Sequence, residues 1–276
     1  MKKLISLALA LVLSLSLIAC GAKQDDTPQT GADTPDTTQT AEKQKLIVGF
    51  DAEFPPFGFI AADGSYDGFD LAMAEELCSR LGWDFEAVPI VWDSKDAELA
   101  AGTINCIWNG FTMEGREDDY TFSEPYMLNE QVIVVKKDSG ITSLPDLAGK
   151  TVVTQADSAA LDVLEGDKKD VADTFKSLQT LPDYNNAFMQ LESGMVDAVA
   201  CDLSIAQYQI AAKPDAYQQL DPLSSEHYAV GFKKGDDALA AKVTSTLKDM
   251  YNDGTVEKLI EKYADYGMSA ENWVLK

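Results

Sequence analysis

The sequence predicts an α/β protein built on parallel strands, and three observations lead there. Apolar strand patterns alternate with helical ones over residues 46–102, an order that places crossover helices on a parallel sheet. A second alternation runs over residues 131–202. The two runs also echo each other, residues 99–110 matching 191–202 as helix end, glycine stop, strand and polar strand end.

Taken in order, residues 46–50 form a short apolar strand that runs into Asp51-Ala-Glu-Phe-Pro-Pro-Phe57. The two prolines halt the strand and stiffen the turn, presenting Asp51 and Phe54 at its end. Gly64 and Gly68 mark a hairpin-like excursion. Asp70 is expected to cap a helix with apolar positions at Leu71, Ala74, Leu77 and Leu81, closed by Gly82. Residues 85–91 read as the next strand, and Ser94 as the cap of a helix to Ala101. A buried strand follows over 104–108. In the second half, residues 131–136, 151–154, 175–178 and 198–200 read as strands. Residues 143–149 form a capped single turn, Ser158 caps a helix through Leu164, and Asp183 starts another through Leu191.

Composition describes a polyanion. The 276 residues carry 46 acidic and 22 basic side chains, a formal charge of −24. Such a surface disfavours nucleic acid and anionic lipid and leaves cationic or zwitterionic small ligands open. Residues 1–19 have the layout of a signal peptide: Lys2 and Lys3, an apolar run to Ile18, then Ala19-Cys20. Leu17-Ile-Ala-Cys20 resembles the lipobox of bacterial lipoproteins, which implies lipid on Cys20 and anchoring to the outer face of a cell membrane. Residues 20–44, rich in Thr, Asp, Gln and Pro, cannot bury a core and read as a flexible tether. Cys78, Cys106 and Cys201 match no zinc or redox spacing; Cys78 and Cys106 read as core residues, with one disulfide open to an exported chain. His227 lacks a nucleophile at motif spacing and reads as structural. No metal or cofactor is expected.

Two strand ends carry the candidate chemistry. Trp108-Asn-Gly-Phe-Thr-Met-Glu-Gly-Arg116 closes the first run. Gly110 lets a backbone approach a ligand, the Thr112 hydroxyl donates and accepts, and Arg116 offers a planar fork for a carboxylate. A surface turn with Arg116 paired to Glu114 or Asp118 is the plain alternative. The echo sets Asp202 opposite Gly110 at the second strand end, where a carboxylate suits an ammonium. If the halves face each other, one cleft offers Arg116 and Asp202, the complement of an α-amino acid.

Residues 46–276 resemble the bacterial solute-binding proteins of polar amino-acid ABC transporters. The resemblance rests on Asp51-Ala-Glu-Phe-Pro-Pro-Phe57, Gly68-Phe-Asp-Leu71, Gly110-Phe-Thr112 with Arg116, Phe122-Ser-Glu-Pro-Tyr126, Leu144-Pro-Asp-Leu-Ala-Gly-Lys150 and Ala198-Val-Ala-Cys-Asp202. It implies a two-lobed, type II periplasmic-binding-protein-like α/β fold with two crossover hinge strands. The lobes would be residues 45–127 with 230–276, and residues 131–226. It implies a monomer that captures a free amino acid, basic or glutamine-like, and hands it to permease subunits without covalent chemistry. By the same resemblance Arg116 holds the α-carboxylate, Thr112 and the Gly110 backbone bind carboxylate and amine, and Ser158 completes the carboxylate cradle. Asp202 pairs with the ammonium, and Phe54 and Trp92 sandwich the side chain. Asp51, Asn109, Gln155 and Cys201 face its distal end. Two departures are a loop one residue shorter between Thr112 and Arg116, and Asp157 where glycine is common. The alternatives are a cyclohexadienyl dehydratase on the same fold, which needs a general acid in the cleft, and an amino-acid-sensing surface protein.

Overall fold

The computed structural model describes residues 43–276; the expected signal peptide, the lipidation at Cys20 and nearly all of the tether lie outside them. Strand β1 (Lys45–Phe50) alternates inward at Leu46, Val48 and Phe50 and ends at Asp51. A small antiparallel meander of β2 (Glu53–Phe54), β3 (Gly58–Ile60) and β4 (Tyr66–Asp67) follows. Helix α1 (Phe69–Leu81) buries Leu71, Ala74, Leu77 and Cys78 on one stripe and stops at Gly82, whose φ of 66° lets its N–H turn back on the last carbonyls. Then come β5 (Asp84–Pro89), α2 (Lys95–Ala101), β6 (Cys106–Ile107) and β7 (Tyr120–Phe122).

The long strand β8 (Met127–Lys136) leads into the second lobe. There β9 (Thr151–Gln155), α3 (Ala159–Glu165), α4 (Lys169–Ala172), β10 (Ser177–Leu181), α5 (Tyr184–Ser193), β11 (Ala198–Asp202), α6 (Leu203–Ala212) and β12 (Tyr217–Gln219) follow. Strand β13 (Ser224–Tyr228) leads back to β14 (Gly231–Lys233), α7 (Asp237–Asn252) and α8 (Thr255–Lys262).

The first sheet has the order β5-β1-β6-β14-β7, with β1 parallel to β5 and β6 and with β14 antiparallel. The second has the order β10-β9-β11-β8-β12, with β13 also paired to β8. Both sheets are therefore mixed: the expected parallel β-α-β core is present, and the chain's crossing strands add antiparallel partners to it. Between the sheets run β8 and β13, antiparallel, with Met127 opposite Tyr228 and Gln131 opposite Ser224. This is a two-lobed, type II periplasmic-binding-protein-like architecture with two crossover strands.

Three local expectations change. Asp70 is not the cap of α1; Gly68 holds that position, and Asp70 lies fully buried in the first turn. Ser94 precedes α2 without capping it, its hydroxyl donating instead to the Val91 carbonyl at 2.7 Å. The strand expected at 175–178 lies at Ser177–Leu181, because Phe175 packs against the apolar cluster under α3 and the ladder with β9 begins at Ser177. The three cysteines of the described residues are free and buried, so none forms the disulfide that an exported chain left open.

Candidate functional site

The internal echo becomes the frame of a cleft. Helix α2, Gly102 and β6 deliver Asn109 and Gly110, and helix α5, Gly194 and β11 deliver Asp202. Both glycines have a φ of 76°, the left-handed turn that stops each helix and starts each strand. The strand ends open on one small cavity, lined by Phe54, Trp92, Asn109, Gly110, Thr112, Arg116, Gln155, Ser158, Ala159 and Asp202. Ligands in α/β folds sit beyond the carboxyl ends of strands, and these residues occupy that place.

Arg116 is buried, with its guanidinium 5.1 Å from the Phe111 ring centroid. Its Nη2 donates to Asp162 of α3 at 2.8 Å and to the Asp157 carbonyl at 3.4 Å, both in the second lobe. Glu114 and Asp118 are not its partners; Glu114 instead accepts from His227, ring and backbone, at 2.7 and 2.9 Å. That contact ties the short loop between Thr112 and Arg116 to β13, and gives His227 the structural place expected for it.

Asp202 sits at the opposite wall. Its Oδ1 accepts from Asn129 Nδ2 at 2.8 Å, Gln131 Nε2 at 2.7 Å and Tyr228 Oη at 2.8 Å. Burial, and next the nearby charge of Glu226, push its pKa up to about 7. The Thr112 hydroxyl donates to Glu226 at 2.7 Å. A hydroxyl has one proton, so Thr112 shows the cavity lone pairs only, which suits an ammonium rather than a carboxylate. Gly110 is similarly committed: its N–H donates to Asp70 at 2.6 Å, which withdraws that N–H from the expected ligand contact.

Ser158 caps α3, accepting from Leu161 N at 3.2 Å, and its hydroxyl lies 3.2 Å from Thr154 Oγ1. At the far end Asp51 is buried beside the cavity lining, and accepts from Gln155 Nε2 at 2.6 Å across the lobes and from the Glu53 N–H at 2.8 Å. Burial first, then the charges of Asp183 and Glu53, push its pKa up to about 6 against those hydrogen bonds. Asn109 accepts from the Asp51 N–H, fixing the bend after β1. Cys201, expected to face the distal end, is fully buried and off the cavity; in β11 its side chain points opposite to that of Asp202.

Asp157 resolves one departure. Its φ of 57° is left-handed, a conformation glycine adopts freely and Asp tolerates. Its carboxylate pairs with Lys95 of the first lobe, and its carbonyl accepts from Trp92 Nε1 at 3.1 Å. The side chain neither points at the cavity nor stands free in solvent. Ala159, Asp162, Asn129, Gln131 and Glu226 were not singled out in the sequence; the last three owe their place to strand register, which carries no local motif.

A cavity so lined, in the crevice of a two-lobed α/β body and walled by buried Arg116 on one side and buried Asp202 on the other, is the architecture of a binding protein. Residues 46–266 match the family described as bacterial extracellular solute-binding proteins, family 3, and the chain belongs to it. Among its relatives, the arginine-binding extracellular protein ArtP of Bacillus subtilis (strain 168) is 28% identical over 95% of this chain and 98% of its own. The L-cystine-binding protein TcyJ of Escherichia coli (strain K12) is 28% identical over 80% of this chain and 83% of its own. The crystal structure of an ABC uptake transporter substrate binding protein from Streptococcus pneumoniae with bound histidine superposes with a TM-score of 0.77, at 35% identity, over 79% of this chain and 92% of that one.

Proposed function

We propose that this protein captures a polar amino acid outside the cell and delivers it to a membrane permease. The observation that carries the reading is the placement of Arg116 and Asp202 on one small cavity. An α-amino acid needs an anion site and a cation site a few ångströms apart, and a closed crevice strengthens both by excluding water. Arg116 has hydrogens beyond those it donates to the second lobe, enough for a ligand carboxylate, which Ser158 and the N–H groups opening α3 then complete. Asp202 Oδ2, Thr112 Oγ1 and the Gly110 carbonyl take the ammonium. Phe54 and Trp92 flank the side chain, and Asn109, Gln155 and the adjoining Asp51 receive its polar end. Asp51 favours a basic side chain such as that of arginine or lysine, and its amide partner Gln155 admits a glutamine-like one. An arginine-binding relative and a solved relative with bound histidine support this range.

Residues 45–127 with 230–276 and residues 131–226 act as the two jaws, with β8 and β13 as hinges. Cys20 anchors the chain by lipid to the outer face of the membrane, residues 20–44 give it reach, and it works as a monomer. The reaction is capture and release, with no covalent step. Thermal unfolding against the twenty amino acids, ornithine, citrulline and cystine tests this. One ligand group at about 100 times its Kd should add roughly 2.7 kcal/mol of stability, a gain lost in Arg116→Ala and Asp202→Ala. No shift with any of them refutes amino-acid capture, and turnover of prephenate-type acids then becomes the question.

A further inference from the structure

We propose that Glu226 and Asp202 form a two-carboxylate site that shares one proton when empty and releases it when a ligand ammonium binds. The inference rests on the amino-acid reading above. Strand register builds the pair. Asn129 and Gln131 are two apart on β8 and project from the same face. Glu226 of β13 lies opposite Asn129, and Asp202 of β11 lies opposite Gln131. Four polar side chains thus converge where both crossover strands meet the end of β11.

The hydrogen bonds show how tightly they are joined. Asn129 Nδ2 donates to Asp202 Oδ1 and to Glu226 Oε1, both at 2.8 Å. Gln131 Nε2 donates to the same two oxygens, both at 2.7 Å. All four amide hydrogens are spent on two carboxylate oxygens, which lie no farther apart than two hydrogen-bond lengths. Both acids are buried, Glu226 at 4% and Asp202 at 5% exposure. Two carboxylates so placed repel each other, which disfavours both being ionised at once while no cation joins them.

Among the described residues, the groups packed on the pair offer no cation. From β13, Tyr228 donates its hydroxyl to Asp202 at 2.8 Å. From the first lobe, Thr112 donates its hydroxyl to Glu226 at 2.7 Å. From α5 and β11, Tyr184 and Cys201 add acidic groups that burial holds neutral. Arg116, also on the cavity, gives its ion pair to Asp162. The direction of the Asp202 titration, upward through burial and the Glu226 charge, agrees with a retained proton.

An amino-acid ammonium arriving at Asp202 supplies the missing positive charge. It keeps its own protons, the pair becomes fully ionised, and the shared proton leaves to solvent. Glu226 does not line the cavity, so it acts through Asp202 and Thr112 as a positioning residue.

Isothermal titration of the full protein with L-glutamine, L-arginine, L-histidine and L-cystine, at pH 6.5 in PIPES and in bis-Tris, counts protons released from the difference in buffer heat. Wild type should release between about half and one proton per ligand at pH 6.5 and much less at pH 8, where the free ligand is still mostly an ammonium. Glu226→Gln keeps every acceptor position, and should bind while losing most of the release. Asp51 is intact in both proteins, so a change in its protonation by a basic side chain cancels in the comparison. Binding without proton release in wild type, or the same release in Glu226→Gln, overturns the shared-proton pair and leaves amino-acid capture standing. Binding of none of the four, nor of any amino acid in the unfolding screen above, overturns both.

Discussion

Asp70 and Gly110 are joined by a 2.6 Å hydrogen bond in which the Gly110 N–H donates to the buried Asp70 carboxylate. The Tyr126 hydroxyl donates to the same oxygen at 2.7 Å. One acid in the first turn of α1 therefore holds both the strand end that lines the cavity and the start of the crossover into β8. Burial, outweighing these hydrogen bonds, pushes the Asp70 pKa up to about 7. The sign follows directly. The unfolded chain ionises Asp70 near pH 3.8 and the folded chain only near 7, so its contribution to stability is full below pH 3.8 and is lost as pH rises toward 7. A raise of that size corresponds to about 4 kcal/mol at most. Urea unfolding at pH 5 and pH 8 should show a smaller loss of stability with pH in Asp70→Asn than in wild type. Equal losses would remove Asp70 from this account.

Gly110 itself is conformationally restricted. Its φ is 60°, and a Cβ there would stand 3.1 Å from the rings of Phe54 and Phe57 and 3.2 Å from that of Tyr228. Gly110→Ala should lose roughly 1–3 kcal/mol from the left-handed backbone and the crowding together. Phe54 lines the cavity and Tyr228 donates to Asp202, so amino-acid affinity should fall as well. Chemical denaturation and calorimetry on one preparation read both effects; unchanged values in each would show that the rings move aside freely.

Much of this was legible in the sequence because strand ends announce themselves. Nine of the eleven expected ligand residues line one cavity, Asp51 bonds Gln155 at its edge, and Cys201 points away from it. Gly110 and Asp202 could be paired from an internal echo, since each follows a helix, a left-handed glycine and a short apolar strand. The hidden part depends on contacts distant in sequence. Glu226 lies in Ser-Ser-Glu-His-Tyr, which reads as a polar edge, and only its register with Asn129 buries it. Asp70 looked like a cap because Asp before an apolar stripe is the usual signal, yet Gly68 holds that position and the carboxylate turns inward. Asp157 and Asp162 meet their partners only when two lobes come together.

The pairing of Asp157 with Lys95 is such a contact and should govern how long the cleft stays shut. Lys95 is almost wholly buried, whereas the Asp157 side chain is 48% exposed, so solvent screens the pair in part. Asp157→Asn preserves the left-handed backbone and the carbonyl that accepts from Trp92, and removes only the charge. A partly screened pair is worth about 1 kcal/mol, which corresponds to a several-fold weaker Kd. Stopped-flow measurement should place the change in the dissociation rate, because the pair forms on closure. A slower association with an unchanged dissociation rate would contradict that role.

The distal end of the cavity should discriminate by charge. Asp51 is ionised above about pH 6 and neutral below it, and Asp183 and Glu53 add negative potential around it. A basic side chain gains from all three, and a carboxamide gains mainly from hydrogen bonds. L-Arginine affinity should therefore fall more steeply than L-glutamine affinity as pH drops from 7.5 to 5. Changes at the Asp202 end act on both ligands through their common ammonium, so the ratio of the two affinities isolates Asp51. Asp51→Asn should weaken L-arginine at pH 7.5 by about tenfold or more, equivalent to at least about 1.4 kcal/mol, and flatten the ratio across this range. A ratio in wild type that does not move with pH would place the side-chain cation elsewhere in the cleft, with Asp51 left to brace Gln155 and the turn at Glu53.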